Sequence, residues 1–208
     1  MSEDSVAGTL ALLDWRRRVA ELYAEIRASA DPRDGWEEWC HTRAALFREH
    51  VQSPLPPDAR SGFSGPHVFA YDPAWRILAG VDPAEPMRLE LPTSSDGVMT
   101  ANRFARTSFT SEGAELSLDL YELESYGGGL FVPFADATSG GETYGAGRYL
   151  LDTIKGSDLG QQDGSLVLDF NFAYQPSCSY DPRWTCPLAP PANRLPVAVR
   201  AGERLGAD

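Results

Sequence analysis

Residues 110 to 121, TSEGAELSLDLY, carry the clearest structural pattern in the sequence. From position 114 onward apolar and polar residues alternate, and a period of two is typical of a half-buried β-strand. The apolar face comprises Ala114, Leu116, Leu118 and Leu120. The segment before it predicts a tight hairpin turn, because Gly113 accepts a positive φ angle. This stretch therefore indicates two adjacent antiparallel strands.

The same alternation recurs on both sides of the hairpin. MRLEL, residues 87 to 91, is predicted to direct Met87, Leu89 and Leu91 inward. Further short strands are predicted at RFARTSFT (103–110), GLFVPFAD (129–136), GRYLLD (147–152), SLVLDFNF (165–172) and LPVAVRAG (195–202). Clusters of Gly, Pro, Asp and Ser separate them, which favours a mainly antiparallel β-sandwich or barrel.

Two helices are predicted ahead of the strands. Residues 8 to 29 show apolar residues at helical spacing, and a second helix is expected from Gly35 to about Val51, with Asp34 as its N-cap. The sequence thus predicts an α+β fold in which two N-terminal helices pack on the β-structure. We expect one domain over residues 1–208, with a helical segment at 1–54 and a β-rich body at 55–208.

Composition excludes several classes of function. The formal net charge of −12 gives a surface that repels nucleic acid and anionic lipid, so neither is expected as a partner. No apolar run approaches the roughly 20 residues that a bilayer span needs. The N-terminal segment begins acidic and places its arginines after its apolar part, the reverse of a secretory signal, which predicts a cytoplasmic protein. An acidic excess with almost no lysine has two interpretations that stay open, a salt-rich cytosol or a GC-rich genome that favours arginine codons.

The few cysteines and the single lysine limit the kinds of metal, redox and lysine-dependent sites that the chain can form. Cys40, Cys178 and Cys186 are expected to be reduced thiols. The spacing of Cys178 and Cys186 does not fit a zinc knuckle, which leaves a disulfide on oxidation or two buried thiols. Lys155 is the only lysine, and its context fits neither a Schiff-base enzyme nor a phosphate-binding GxxxxGK loop. No motif predicts a cofactor or a bound metal.

Residues 169 to 194, DFNFAYQPSCSYDPRWTCPLAPPANR, form a dense polar and aromatic run that is expected to fold as an ordered loop. On the predicted strand, Asp169 and Asn171 share one face and can hold a cation, an arginine or a polar ligand. The alternative is structural: Asp169 pairs with Arg148 or Arg194 and fixes the register of the strand.

Residues 136 to 149, DATSGGETYGAGRY, form a second polar concentration. Four glycines and the side chains of Asp136 and Ser139 predict a structured turn, and the segment contains neither GxGxxG nor GxSxG. Arg148 enters a strand directly from this turn, where it can clamp a carboxylate or phosphate. An arginine in such a position also commonly serves as a structural ion-pair partner.

LFVPFADATSGGETYGAGRYL (130–150) and LDFNFAYQPSCSYDPRWTCPLAPPANRLPVAVRAGE (168–203) resemble the domain-of-unknown-function family 1684 of bacteria and archaea. The resemblance extends upstream to about residue 44, and the sequence departs from the family pattern at Gln175 and Ala189. It implies no activity. The polar, aromatic and thiol residues that match the family motifs are Asp136, Thr138, Ser139, Glu142, Tyr144, Arg148, Asp169, Asn171, Tyr174, Cys178, Cys186, Asn193, Arg194 and Glu203.

From these residues we expect a pocket for a small polar or anionic molecule, with walls formed by loops 136–148 and 169–194. The expected ligand-binding residues are Arg148, Asn171, Tyr174, Asn193, Arg194, Asp136 and Ser139. If the protein is an enzyme, its chemistry is hydrolytic or acid–base, with Asp169 or Glu203 accepting the proton. The alternative is a non-catalytic binding or interaction module in which these residues form ion pairs that lock the loops together. A metal site through Cys178, Cys186 and a histidine is a third interpretation.

Overall fold

The computed structural model describes residues 3–124 and 128–206. It begins with two helices, α1 (Glu3–Ala28) and α2 (Pro32–Glu49). The N-cap of α2 is Asp31 rather than the predicted Asp34: the Asp31 carboxylate accepts a hydrogen bond of 2.8 Å from the backbone N–H of Arg33. Pro32 explains the earlier start, since proline is favoured at the first helical position. No helix in these residues is apolar over a length that would cross a bilayer.

Eight strands follow the helices and form two antiparallel sheets. The strands are β1 (Arg76–Ala79), β2 (Asp82–Pro92), β3 (Val98–Ser111), β4 (Ala114–Leu123), β5 (Leu130–Phe134), β6 (Arg148–Asp152), β7 (Gln161–Gln162) and β8 (Ser165–Asp169). One sheet has the order β2-β3-β4-β5-β6 and the other the order β1-β8-β7. The predicted α+β class and two N-terminal helices are confirmed, and the sandwich is the correct alternative because the five-stranded sheet is open.

The hairpin at the centre of the large sheet has the predicted geometry. β3 and β4 pair up to Ser111 and Ala114, and both turn residues have positive φ angles, 50° at Glu112 and 76° at Gly113. The even-numbered leucines of β4 pack into the core between the two sheets. Tyr121, on the opposite face, packs among residues of α1 and α2, so that both faces of β4 are covered.

Three predictions about strands are wrong. Met87 is 41% exposed, because β2 is an edge strand whose register with β3 shifts between Pro83 and Met87. Residues 195 to 202 form no strand and are irregular, with bends at residues 196, 197 and 202. β8 ends at Asp169, whose side chain accepts the backbone N–H of Asn171 at 3.0 Å and caps a short 3-10 turn. Asn171 therefore lies in that turn and not on a strand face.

Candidate functional site

Arg148 lies at the start of β6 with its guanidinium buried. Nη2 donates to Asp136 Oδ2 at 2.6 Å and to the Val199 carbonyl at 2.8 Å, while Nη1 donates to the carbonyls of Ala201 and Glu203. Burial lowers the pKa of Arg148, and the Asp136 carboxylate opposes that effect. Arg148 thus binds the segment from Val199 to Glu203 through three of its backbone carbonyls.

The turn at residues 136–147, just before Arg148, is stabilised by hydrogen bonds between its own side chains and backbone. Asp136 Oδ1 accepts the backbone N–H of Thr138 at 2.6 Å, and the Asp136 N–H donates to Ser139 Oγ at 3.0 Å. Gly147 has a φ angle of 95°, and a Cβ atom there would lie 2.4 Å from the Phe134 carbonyl oxygen. Glycine is therefore required where the turn enters β6.

Asp169 and Asn171 belong to a different network. Asn171 Nδ2 donates to Asp169 Oδ1 at 2.8 Å and to the Asp72 carbonyl at 2.8 Å, and Asn171 Oδ1 accepts the Asp72 N–H at 2.9 Å. The ion-pair partner of Asp169 is Arg76, at 3.2 Å, and neither Arg148 nor Arg194 as the sequence suggested. Burial raises the pKa of Asp169, while Asn171 and Arg76 act in the opposite direction.

Glu203 is completely buried and surrounded by four donors. Its Oε1 accepts from Arg43 Nε at 2.8 Å and Nη2 at 2.6 Å. Its Oε2 accepts from the backbone N–H of Gln175 at 2.7 Å and from the Tyr180 hydroxyl at 3.0 Å. The carboxylate therefore joins α2 to Gln175 and Tyr180, in the first part of the loop that follows β8.

Arg43 completes this arrangement from α2. Its guanidinium carbon lies 5.0 Å from the ring centroids of Trp39 and Tyr174 and 4.9 Å from that of Phe47. Aromatic faces attract a guanidinium, and this attraction strengthens when water is excluded. Although burial opposes its charged form, the Glu203 carboxylate raises the pKa of Arg43.

The remaining predicted residues are spread over the molecule. Asn193 is buried, and its amide bonds the backbone of Asp119 and the carbonyl of Pro133 at 2.8 to 3.0 Å. Arg194 is exposed beside it, with its backbone paired to Ala135. The predicted site residues therefore occupy three separate networks, centred on Arg148 and Glu203, on Asp169, and on Asn193.

The two predicted loops do meet, at their cysteine and tyrosine residues. Cys178 Sγ lies 3.7 Å from the Tyr144 hydroxyl, and the backbone N–H of Cys178 lies 3.4 Å from Cys186 Sγ. Residues 3–124 and 128–206 contain no group of three His, Cys, Asp or Glu side chains that could hold a metal ion. His50, one candidate third ligand, bonds Asp14 of α1 at 3.2 Å instead.

A cavity of about 320 Å³ lies beside this junction, against β3–β6. Its walls are mainly apolar, and five of its lining side chains carry polar groups. The lining residues are Met99, Leu123, Glu124, Phe131, Tyr149, Asp152, Ile154, Lys155, Thr185 and Pro187. The volume falls within the range of about 300 to 1,000 Å³ that is typical of small-molecule sites, which also have a few placed polar groups.

The polar end of this cavity is built around Lys155. Its ammonium lies 3.6 Å from Asp152 Oδ2 and 5.4 Å from the Tyr149 ring centroid. The Asp152 carboxylate also accepts from the Tyr174 hydroxyl at 3.3 Å, and the Tyr149 hydroxyl donates to the Pro187 carbonyl at 2.6 Å. These hydrogen bonds hold Asp152 and Tyr149 in place. Lys155, whose side chain is 44% exposed, is the one cation among the described residues that line the cavity.

A larger cleft of about 700 Å³ lies between α1 and α2. Six of its fourteen lining residues are charged, and five of those are carboxylates: Asp14, Glu21, Glu25, Glu38 and Glu49. Such a wide, acidic groove lacks the apolar enclosure that favours a small ligand. The smaller cavity at Lys155 is the better candidate site.

A family model for proteins of unknown function, DUF1684, matches residues 61–204. The chain belongs to the DUF1684 family. It is also similar to an uncharacterized protein from gene locus rrnAC0354 of Haloarcula marismortui, whose solution NMR structure aligns with a TM-score of 0.58 at 38% sequence identity. That alignment covers 83% of this chain and 95% of the other. No functionally curated protein matches the chain significantly.

The DUF1684 match begins after α2 and so includes Glu203 but not its partner Arg43. Sequence reasoning missed Arg43, Arg76 and Lys155 as site or network residues. Lys155 had one usable signal, since a single lysine in an arginine-rich chain is unusual. Arg43 and Arg76 carried none, because each pairs with a carboxylate about a hundred or more residues away.

Proposed function

We propose that this DUF1684 protein binds a small, mainly apolar molecule that carries one acidic group. The observation that carries the proposal is the cavity of about 320 Å³, whose one cation among the described residues is Lys155, the sole lysine of the sequence. The apolar walls at Met99, Phe131 and Ile154 favour an aromatic or short aliphatic body. The acidic group pairs with Lys155 at the rim.

The contacts of Lys155 support an acidic ligand group. An ammonium has three donors, and charge-assisted hydrogen bonds are typically about 2.7–2.9 Å long. Asp152 lies at 3.6 Å, so this pair is looser than a direct hydrogen bond. Asp152 also accepts the Tyr174 hydroxyl and the Lys155 backbone N–H, which share its negative charge. A ligand carboxylate can therefore approach Lys155 from the open side of the cavity.

In this proposal the polar motif residues are structural. We propose that they hold the loops and strands around the cavity in position; these residues are Asp136, Arg148, Asp169 and Glu203. Their buried ion pairs and hydrogen bonds support this role. A catalytic Glu203 would have to give up Arg43 and its other donors before it could accept a substrate proton. Binding without acid–base catalysis is thus the function that the geometry favours.

The test is a thermal-shift and calorimetric screen of small aryl and alkyl carboxylates, each beside its uncharged alcohol. The proposal expects saturable binding of at least one carboxylate and weaker binding of the matching alcohol. Lys155→Gln should weaken carboxylate binding about 2- to 5-fold and leave alcohol binding unchanged, as for one partly exposed ion pair. Carboxylates that bind Lys155→Gln as tightly as the wild type would contradict the role of the lysine.

A cavity-filling variant locates the ligand. Met99→Trp places a larger side chain in the cavity, whereas Val98→Trp adds the same group on the opposite, solvent-facing side of β3. The proposal expects Met99→Trp to abolish binding and Val98→Trp to preserve it, with both variants folded by circular dichroism. Equal binding by the two variants, or no binding by any carboxylate in the screen, would overturn it.

A further inference from the structure

Cys178 and Cys186 lie together although seven residues separate them in the sequence. The backbone N–H of Cys178 lies 3.4 Å from Cys186 Sγ, so the two thiols occupy one site. Cys186 is buried, whereas Cys178 is half-buried at the surface of the loop. The backbone of Cys186 is held by Ser94, whose hydroxyl accepts its N–H at 3.0 Å and whose N–H donates to its carbonyl at 2.9 Å.

The surroundings of the two sulfurs are unequal. Contacts with the Cys186 thiol and with the Ser94 and Tyr144 hydroxyls lower the pKa of Cys178 to about 6, against the effect of burial. The same contact and burial raise the pKa of Cys186. Cys178, the more exposed of the two sulfurs, is therefore the one that ionises first, and Cys186 stays a thiol. One reactive thiolate beside one thiol is the arrangement that a two-cysteine redox site needs.

We propose that Cys178 and Cys186 form a peroxide-reactive dithiol site, with Cys178 as the attacking sulfur and Cys186 as the resolving sulfur. The inference goes beyond small-molecule binding, since none of the residues that line the cavity supplies a reacting group. Its substrate class is a hydroperoxide. The site is reset by a low-molecular-weight thiol.

The chemistry balances in two steps. The Cys178 thiolate attacks one peroxide oxygen, the O–O bond breaks, and Cys178 becomes a sulfenic acid while the departing oxygen takes a proton and leaves as an alcohol or water. The Cys186 thiol then attacks the Cys178 sulfur, an S–S bond forms, and the hydroxyl leaves with the Cys186 proton as water. Two equivalents of an external thiol return both cysteines to thiols and are themselves oxidised to a disulfide.

Cys40 is an internal control for this reactivity. Burial raises its pKa to about 12, with a further contribution from Glu203, so it is a neutral thiol at pH 7. It lies in α2 and is part of the same chain under the same conditions. Selective reaction at Cys178 therefore distinguishes a tuned site from general oxidation of the protein.

The experiment treats the reduced full-length protein with hydrogen peroxide and maps the products by peptide mass spectrometry. The proposal expects loss of two hydrogen atoms through a Cys178–Cys186 disulfide, with Cys40 still a thiol. In Cys186→Ser, a sulfenic-acid probe should label Cys178. In Cys178→Ser, neither remaining cysteine should react at the wild-type rate, while Cys40→Ser should behave as the wild type.

The pH dependence of oxidation shows whether the rate follows ionisation of Cys178 or depends only on the closeness of the two cysteines. The rate of Cys178 oxidation in the wild type should rise with a midpoint at about pH 6, following its ionisation. Tyr144→Phe removes one hydroxyl donor and should move that midpoint to higher pH. Oxidation of Cys40 as fast as Cys178, a sulfenic acid on Cys186 instead of Cys178, or mainly intermolecular disulfides would each overturn the proposal.

Discussion

The substitution Glu203→Gln tests whether the buried polar residues hold the fold together. Glu203 has no exposed surface, and its two oxygens accept four hydrogen bonds, two of them from the Arg43 guanidinium. A glutamine that keeps its oxygen toward Arg43 turns its amide toward the N–H of Gln175 and the hydroxyl of Tyr180. The hydroxyl can rotate to accept, but the Gln175 N–H then faces another donor.

The expected cost has two parts. Breaking a buried ion pair by removing one partner typically costs about 3–5 kcal/mol, because the other charge stays buried without compensation. One unsatisfied buried N–H costs a further 1–3 kcal/mol or so. Because the aromatic rings around Arg43 still favour its charge, we expect a total near the lower end, about 4 kcal/mol. That is a large share of the roughly 5–15 kcal/mol by which a domain is stable.

The assay is urea denaturation of wild type, Glu203→Gln, Arg43→Met and the double variant. The double variant should lose about 2 kcal/mol less stability than the sum of the losses in the two single variants. Glu142→Gln is the matched control, because Glu142 also binds Nε and Nη2 of one arginine but at the surface, and its loss should not be measurable. A Glu203→Gln cost below about 1 kcal/mol, or additive effects, would refute the reasoning.

Three further outcomes are expected. Gly147→Ala should destabilise by about 3 kcal/mol or more in thermal unfolding, since its Cβ would meet the Phe134 carbonyl, whereas Gly140→Ala, with open space around it, should cost about 1 kcal/mol. Burial raises the pKa of Asp169 above its ordinary value of 3.8. The contribution of Asp169 to stability is therefore largest at about pH 4 and falls as the pH rises through its folded pKa. Asp169→Asn should accordingly destabilise the protein more at about pH 4 than at about pH 7. Iodoacetamide at about pH 7 should alkylate Cys178 at least about 100-fold faster than Cys40, as followed by peptide mass spectrometry; comparable rates would contradict the assigned thiolate.

The hairpin at residues 110 to 121 was predictable because its determinants are local. Alternation fixes which leucines face the core, and Gly113 fixes the turn. The partner of Asp169 was not predictable, because it depends on strand pairing. β1 has four residues and no clear alternation, and its antiparallel pairing with β8 places Arg76 directly opposite Asp169.

The candidate site was less accessible to sequence reasoning than the fold. Asp, Asn and Arg in a motif look alike whether they face a ligand or one another, and only the three-dimensional partners distinguish the two cases. Arg148, the leading anion-binding candidate, is covered by backbone carbonyls of residues 199 to 203, a segment that lies about 50 residues away in the sequence. The cavity at Lys155 is assembled from five separate stretches of chain, so no short motif marks it.

Lys155 gives the most direct test of the central claim, which is ligand binding at the cavity. Because it is the only lysine, protein labelled with ¹⁵N at lysine Nζ has a single side-chain ammonium to observe by NMR. Titration with the carboxylates that bind in the thermal-shift screen should shift this signal saturably, and Met99→Trp should abolish the shift. A carboxylate that stabilises the protein while the Lys155 signal stays in place would show that binding occurs elsewhere and contradict the account.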